Sequence, residues 1–104
     1  MAEPKQVKLH PGARTDLEES VQFYGARSEY ARMMFKEGIA EGFRTIADAP
    51  ERHPKVPELK DVRKFRMPHF PFSILYVDRP LYVWVVAIAH GSRRPGYWKE
   101  RLRE

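Results

Sequence analysis

Apolar side chains in the first half of the chain recur every three or four residues, which is the spacing of one face of an α-helix. In a first segment the recurring positions are Ala13, Leu17, Val21 and Tyr24. The pattern breaks over residues 25–29, where Ser28 can cap a second helix. That second helix carries its apolar residues at Ala31, Phe35, Ile39, Phe43 and Ile46. Because Pro11 suits a first helical position and Pro50 ends the second pattern, we predict a helical hairpin whose two apolar faces share one partner surface.

Two further features of these helices need an explanation. Asp16, Glu18 and Glu19 follow closely on the start of the first helix, where carboxylates suit the positive end of the helix dipole. Gly38 and Gly42 lie inside the second helix, and each costs about 1 kcal/mol there relative to alanine. That cost predicts a packing reason for the glycines, and we expect it to be a close approach between the two helices.

The second half of the chain changes to strand-like patterns. Residues 50–60 contain three prolines, which predicts an extended connection without helix. The strand-like runs that follow are Val62–Met67, Phe72–Val77 and Leu81–Ala89. Only three residues separate the last two runs, which indicates an antiparallel hairpin, and the last run is apolar on both faces, as in a central strand. With Val7–Leu9 as an N-terminal strand, we predict one α+β domain over residues 1–104, a helical hairpin packed on a twisted antiparallel sheet of three to four strands.

Composition excludes several classes of protein. A chain of 104 residues with 42% hydrophobic residues is typical of one globular domain. The absence of cysteine excludes disulfides and thiolate metal sites, and the histidines lack the spacing of ligands, so we predict neither a metal nor a cofactor. No apolar run approaches the roughly 20 residues that span a bilayer, and residues 1–13 do not resemble a signal peptide, which predicts a cytoplasmic protein without a membrane partner.

Positive charge is concentrated in the second half of the chain. The net charge is +5, but residues 1–51 hold 7 basic and 9 acidic groups, whereas residues 52–104 hold 12 and 5. Arginine outnumbers lysine 12 to 7, and the planar guanidinium suits phosphate and carboxylate recognition. This distribution indicates either a solvated surface or an acidic partner such as nucleic acid, a nucleic-acid enzyme or an acidic protein.

Four segments of the sequence carry a family resemblance. They are the first helix DLEESVQFY, the strands FPFSILYV and LYVWVVAIAH, and the terminal HGSRRPGYWKER. Together they resemble the RelE/ParE toxins of type II toxin-antitoxin, or plasmid-stabilisation, systems over nearly the whole chain. The most specific part is a C-terminal signature made of His90, Arg93, Arg94, Pro95, Tyr97, Trp98 and Arg101. The resemblance implies the same fold that the periodicity predicts.

The resemblance implies two kinds of activity. RelE-like members are ribosome-dependent mRNA endonucleases, whereas ParE-like members bind and trap DNA gyrase. Cutting RNA without a metal requires a base, an acid and cations around the developing phosphorane. The residues that would supply these groups here are Arg63, Lys64, Arg66, His90, Arg93, Arg94 and Tyr97.

One position favours the ParE-like branch. RelE-like nucleases carry an arginine just after the first aromatic of the strand that corresponds to Phe72–Val77, and this chain has Ser73 there. Since serine does not neutralise phosphorane charge, and losing a preorganised donor costs about 10² to 10³ in rate, the resemblance predicts a gyrase inhibitor that is not an enzyme. A metal-independent mRNA endonuclease and a non-toxic remnant that only binds a partner are the alternatives.

The resemblance also implies two binding surfaces. For the target it points to Arg93, Arg94, Tyr97, Trp98 and Arg101, although Trp98 also fits a core position and His90 fits an ordinary imidazole hydrogen-bonded at a strand end. Toxins of this family are silenced by an antitoxin whose disordered tail folds over them, so we expect a toxin-antitoxin hetero-oligomer. The predicted antitoxin contacts lie off the main apolar faces of the helices, at Phe23, Tyr30 and Met33.

Overall fold

Two helices lie on one face of a five-stranded sheet in the computed structural model, which describes residues 3–103 and Lys60 through its backbone alone. The strands are β1 (Gln6–Leu9), β2 (Lys55–Val56), β3 (Leu59–Arg66), β4 (Phe72–Asp78) and β5 (Tyr82–His90). The helices are α1 (Pro11–Arg27) and α2 (Glu29–Asp48), and short 3₁₀ helices cover Pro50–Arg52 and Lys99–Arg103. The predicted domain of residues 1–104 also includes residues 1, 2 and 104, which lie outside the described residues.

The helical hairpin is confirmed, and its turn is tighter than the sequence pattern predicts. Ser28 alone separates the two helices, so α1 continues through most of the predicted break at residues 25–29. The Ser28 hydroxyl accepts a hydrogen bond from the Ala31 N–H at 2.9 Å, and the Ser28 N–H donates to the Tyr24 carbonyl at 3.1 Å. One residue therefore ends the first helix and caps the second. Over the described residues, neither helix is long and apolar enough to cross a membrane.

The sheet has the order β1-β5-β4-β3-β2. The antiparallel pairing of β3, β4 and β5 agrees with the prediction. The sheet differs from it in having five strands and in being mixed, because β1 runs parallel to β5. Alternation of apolar and polar residues shows which face of a strand is buried but contains no information on the direction of its neighbour, so only the structure reveals the parallel pair.

The predicted helix-free connection over residues 50–60 was wrong in detail. Pro50–Arg52 forms a 3₁₀ turn, since the fixed backbone angle of Pro50 suits a first helical position. Lys55–Val56 then pairs with the beginning of β3 and forms the edge of the sheet. A two-residue strand is too short to produce an alternation in the sequence.

The two glycines of α2 face the sheet, which corrects the expected approach between helices. A Cβ at Gly42 would lie 2.9 Å from the Ile74 Cδ1 and 3.2 Å from the Phe65 Cε2. A Cβ at Gly38 would lie 3.2 Å from the Met67 Cε. The glycines therefore bring α2 close to side chains of β3, of β4 and of the connection between them, rather than to α1.

Apolar side chains form a layer on each face of the sheet. The larger layer lies between the helices and the sheet and includes Phe35, Ile46, Ile74, Tyr76 and Val85. The smaller layer, on the opposite face, includes Val62, Leu75, Val86, Ala87 and Trp98. An irregularity in the pairing of β4 with β5 leaves Val86 without a partner and shifts the alternation of β5. This bulge and the second layer explain why β5 is apolar on both faces.

Candidate functional site

A groove lies on the sheet face that is not covered by the helices. One wall is the C-terminal loop from Arg93 to Trp98, the other is the edge strand β2 with the flanking Pro54 and Pro57, and the floor contains Ser73, Leu75 and Ala89. Its volume is about 310 Å³. We call it the C-terminal groove. Because one wall is a loop and the other belongs to the sheet, the position of the C-terminal loop determines the shape of the groove.

The charged residues that line the C-terminal groove are all basic. They are Lys55, Lys64, Arg93 and Arg94, and no aspartate or glutamate is found among the described lining residues. His90 lies at the end of β5, where its Nδ1 accepts a hydrogen bond from the Ser92 N–H at 2.9 Å. This arrangement creates a positive surface beside an apolar floor, which suits an acidic or phosphate-bearing partner.

A buried carboxylate holds the C-terminal segment in place. Asp16 on α1 is only 5% exposed, and its Oδ2 accepts hydrogen bonds from the Ile88 N–H at 3.1 Å and from the Tyr97 hydroxyl at 2.9 Å. The same oxygen lies 2.8 Å from Nη1 of Arg101, which also donates to the Val86 carbonyl at 2.9 Å. Asp16 therefore joins α1, β5 and the C-terminal segment. The prediction that it serves the dipole of α1 was wrong, because the first turn contains no acidic residue.

The ring of Tyr97 lies under the Arg93 guanidinium. The Arg93 Cζ is 3.8 Å from the ring centroid, and the Arg101 Cζ is 5.2 Å from it. Burial raises the pKa of Tyr97, and the charge of Asp16 and the hydrogen bond to it raise that pKa further. The Tyr97 hydroxyl therefore keeps its proton at physiological pH and is already engaged as a donor.

Comparison with protein families gives a match over most of the chain. The model of the ParE toxin of the type II toxin-antitoxin system, parDE, matches residues 7–95. The chain belongs to the ParE toxin family of type II toxin-antitoxin systems. Its fold is similar to that of a chain from the chromosomal ParDE TA system of P. aeruginosa, with a TM-score of 0.72 and 16% identity over 86% of this chain and 98% of that chain. No curated protein matches the sequence.

The family match and the predicted target surface overlap in part. Arg93 and Arg94 fall within the matched residues and are exposed on the C-terminal groove. Tyr97, Trp98 and Arg101 lie beyond the matched residues. Of these, Trp98 is 6% exposed and packs in the smaller apolar layer, while Tyr97 and Arg101 are half-buried and bonded to Asp16.

The residues of the nuclease alternative are only partly brought together. Lys64, His90, Arg93, Arg94 and Tyr97 line the C-terminal groove. Arg63 lies outside it and donates a hydrogen bond of 2.6 Å to the His53 carbonyl. Arg66 is exposed and does not line the groove, although it faces Ser73 across the pairing of β3 with β4.

The three predicted antitoxin contacts lie near the turn of the helical hairpin. Phe23 is 51% exposed, Tyr30 72% and Met33 54%, and Met34 beside them is 42% exposed. Four large, exposed apolar side chains within 12 positions of one another are available for contact with a partner. Over the described residues, no group of three or more metal-ligating side chains is found.

Sequence reasoning missed Asp16 and Gly12 as parts of the site. A Cβ at Gly12 would lie 2.5 Å from the Arg101 Nε, so the glycine makes room for the guanidinium against the first turn of α1. A signal existed in the sequence. Asp16 stands three residues after Ala13 and one before Leu17, both on the predicted apolar face, and a buried carboxylate at such a position needs a partner.

Proposed function

We propose that this chain is the toxin of a type II toxin-antitoxin pair and that it inhibits DNA gyrase by binding. The contact surface is the rim of the C-terminal groove, with Arg93 and Arg94 as the principal charged groups. A cognate antitoxin neutralises the toxin in a hetero-oligomer, and we expect the chain to act in the cytoplasm, where its target is.

The chemical groups in the groove favour binding of a partner over cleavage of RNA. Cleaving RNA without a metal requires separate groups for the base and the acid, as well as cations around the phosphorane. The Tyr97 hydroxyl donates to Asp16 and has a raised pKa, so it is a poor acid and a poor base. Ser73 occupies the strand position at which RelE-like nucleases carry an arginine. The groove then offers exposed arginines on its loop and apolar side chains on its floor. This composition is typical of a protein-binding surface.

The positive charge supports a partner of opposite sign. The described residues that line the groove contribute four cations and no carboxylate, and arginine recognises carboxylate and phosphate through a planar pair of donors. Opposite charges at the rim of an interface mainly accelerate association and fix the orientation of the partners. We therefore expect inhibition of gyrase to weaken as ionic strength rises.

The exposed apolar residues of the helical hairpin support a second surface, for the antitoxin. Tyr30 and Met33 lie on the helices, whereas the C-terminal groove lies on the opposite face of the sheet. Phe23 lies between the two surfaces, because it lines a pocket together with His90, Ser92 and Arg93. An antitoxin that covers both would block the target surface directly. One that covers only Tyr30 and Met33 would act without contact to Arg93.

A supercoiling assay tests this function. Purified toxin incubated with gyrase, ATP and relaxed plasmid is expected to prevent supercoiling or leave gyrase on cleaved DNA, and the antitoxin is expected to reverse this. Translation of a reporter mRNA in the presence of ribosomes should continue, without new 5′ ends by primer extension. Normal supercoiling at toxin concentrations that arrest growth would reject the proposal.

A ribosome-dependent mRNA endonuclease is the second candidate. It is favoured by the fact that Lys64, His90 and Arg93 share the C-terminal groove. This function predicts codon-positioned mRNA cuts that Arg93→Ala or Tyr97→Phe abolishes. Normal growth on expression without the antitoxin would instead indicate a non-toxic remnant.

A further inference from the structure

Asp16 has more partners than packing alone requires. Its carboxylate is bonded to the Ile88 N–H, the Tyr97 hydroxyl and both terminal nitrogens of Arg101, with the longest contact 3.3 Å. The partners come from β5 and from the C-terminal segment, 72 to 85 positions further along the chain. The carboxylate is therefore the point at which three distant parts of the chain meet.

The backbone of α1 is shaped for this cluster. Gly12 and Asp16 are four residues apart and lie on the same face of the helix. The missing Cβ of Gly12 leaves space that the Arg101 guanidinium fills, and any side chain there would displace the guanidinium from Asp16. The position of Arg101 is thus defined by both residues of α1.

A buried ion pair contributes little net stability to a fold. The desolvation of two charges offsets most of their attraction, and apolar residues of similar size commonly stabilise a fold as well or better. Trp98 and Leu102, which directly follow Tyr97 and Arg101 in the chain, belong to the apolar layer on the sheet face opposite the helices. The polar cluster instead fixes the orientation of two side chains, because hydrogen bonds hold both the ring of Tyr97 and the guanidinium of Arg101.

The fixed ring of Tyr97 in turn restricts the position of Arg93 at the groove. The Arg93 guanidinium stacks on the ring at 3.8 Å, and the backbone of the loop is held by hydrogen bonds from the Arg93 N–H to the His90 carbonyl and from the Tyr97 N–H to the Arg94 carbonyl. A free arginine samples many rotamers and loses that freedom when it binds a partner. Stacking restricts the rotamers of Arg93 before the partner arrives.

We infer that Asp16 is a positioning residue for target binding, which acts through the Tyr97 hydroxyl to hold Arg93 on the C-terminal groove. The inference rests on the proposed function in that Arg93 is taken to contact gyrase. It adds that a residue of the first helix, which lies below the surface and touches no partner, determines how strongly the toxin inhibits.

A double-mutant cycle on the full chain tests the inference. Tyr97→Phe retains the ring beneath Arg93 and removes only the hydroxyl bonded to Asp16, whereas Asp16→Asn removes the charge. Each is expected to raise the toxin concentration for half-inhibition of supercoiling by about 10-fold, within the range of couplings between residues in contact. In the Arg93→Ala background the same changes are expected to have less than about a 2-fold effect, because the group that they position is absent.

Independent effects would overturn the inference. If Tyr97→Phe weakens inhibition as much in the Arg93→Ala background as in the wild type, the hydroxyl acts on stability alone. Leu102→Ala is the matched control, because it removes an apolar contact of the same segment without touching Asp16. Should Asp16→Asn fail to fold, the Tyr97→Phe cycle still decides.

A second measurement does not depend on the target. In the free toxin, the ring current of Tyr97 is expected to shift the Arg93 Nε–Hε signal in ¹H–¹⁵N spectra, and Tyr97→Phe should reduce that shift because the ring is no longer held. An unchanged Arg93 signal in Tyr97→Phe would overturn the inference whatever the target is. If the signal moves but wild-type toxin does not inhibit gyrase, the proposed function fails and the positioning by Asp16 stands.

Discussion

The Tyr97 hydroxyl donates a 2.9 Å hydrogen bond to the Oδ2 of Asp16, which lies 81 positions earlier in the chain. This contact passes from the end of the chain to its first helix at the border of the sheet. It accounts for the burial of Asp16 and for the fixed course of the C-terminal segment. The segment is therefore part of the fold, and the arginines that project from it occupy defined positions.

Trp98 is expected to be essential for stability. It is 6% exposed and packs with Leu75, Val86 and Ala87 on the sheet face opposite the helices. Trp98→Ala should lower the free energy of unfolding by about 3 to 5 kcal/mol, measured by urea denaturation, because a large buried side chain is replaced by a cavity. Leu81→Ala is the control, since Leu81 is 85% exposed and its removal should change stability by less than about 0.5 kcal/mol. Equal stability of the two variants would show that Trp98 is not a core residue.

The close approach of α2 to the sheet predicts opposite effects for two glycines. Gly42→Ala places a Cβ 2.9 Å from the Ile74 Cδ1, and this overpacking should destabilise the protein by about 1 to 3 kcal/mol. Gly25→Ala meets only the flexible side chain of Arg32, at 3.1 Å, so its higher helix propensity should stabilise by up to about 1 kcal/mol. Thermal unfolding of both variants checks the pair. A gain in stability from Gly42→Ala would contradict the packing described for α2.

His53 makes the stability depend on pH. Burial lowers the pKa of His53, and the charges of Arg52 and Arg63 lower it further. A lowered pKa in the folded state means that folding favours the neutral imidazole. This contribution is complete above the unfolded pKa of about 6.5 and is lost as the pH falls through the folded pKa. The free energy of unfolding should therefore fall more between pH 7.5 and 5.5 in the wild type than in His53→Gln. An equal decline of the unfolding free energy in both proteins, or an imidazole pKa of His53 above 6.5 by NMR titration, would show that His53 does not cause this pH dependence.

The exposed apolar residues of the helical hairpin are expected to bind the antitoxin. Replacing both Tyr30 and Met33 by alanine should weaken antitoxin binding by about 10-fold or more in calorimetry, because large side chains that become buried dominate interfaces. Since both residues are exposed, the unfolding free energy should barely change. Lys36→Ala, an exposed change on the same helix, is the matched control. If the double variant binds the antitoxin with unchanged affinity, the antitoxin surface does not include Tyr30 and Met33.

Periodicity of apolar residues predicted most of the fold. The spacing of three or four residues from Ala13 and from Ala31 located both helices. Alternation located β3, and apolar runs located β4 and β5, to within a few residues. The parallel pairing of β1 was not predictable, because the sequence of a four-residue strand shows its apolar face but not the direction of the strand beside it. The bulge at Val86 was also not predictable, since an uninterrupted apolar run has no alternation to break.

The candidate site was predicted less completely than the fold. The sequence and its family resemblance identified Arg93 and Arg94, which are exposed on one groove. They did not distinguish these from Arg101, whose guanidinium turns inward to Asp16. Whether an arginine faces solvent depends on a partner 85 positions away in the chain, and no local pattern contains that information.

Inhibition of gyrase by an arginine variant tests the central claim most directly. Arg93→Ala/Arg94→Ala should raise the toxin concentration for half-inhibition of supercoiling by about 10-fold or more at low salt, because both exposed cations of the C-terminal loop are lost. Lys36→Ala/Arg44→Ala removes the same charge from exposed positions on α2 and should inhibit like the wild type. Equal loss in the two double variants, or a wild-type toxin that leaves supercoiling intact, would contradict a gyrase-binding surface at the C-terminal groove.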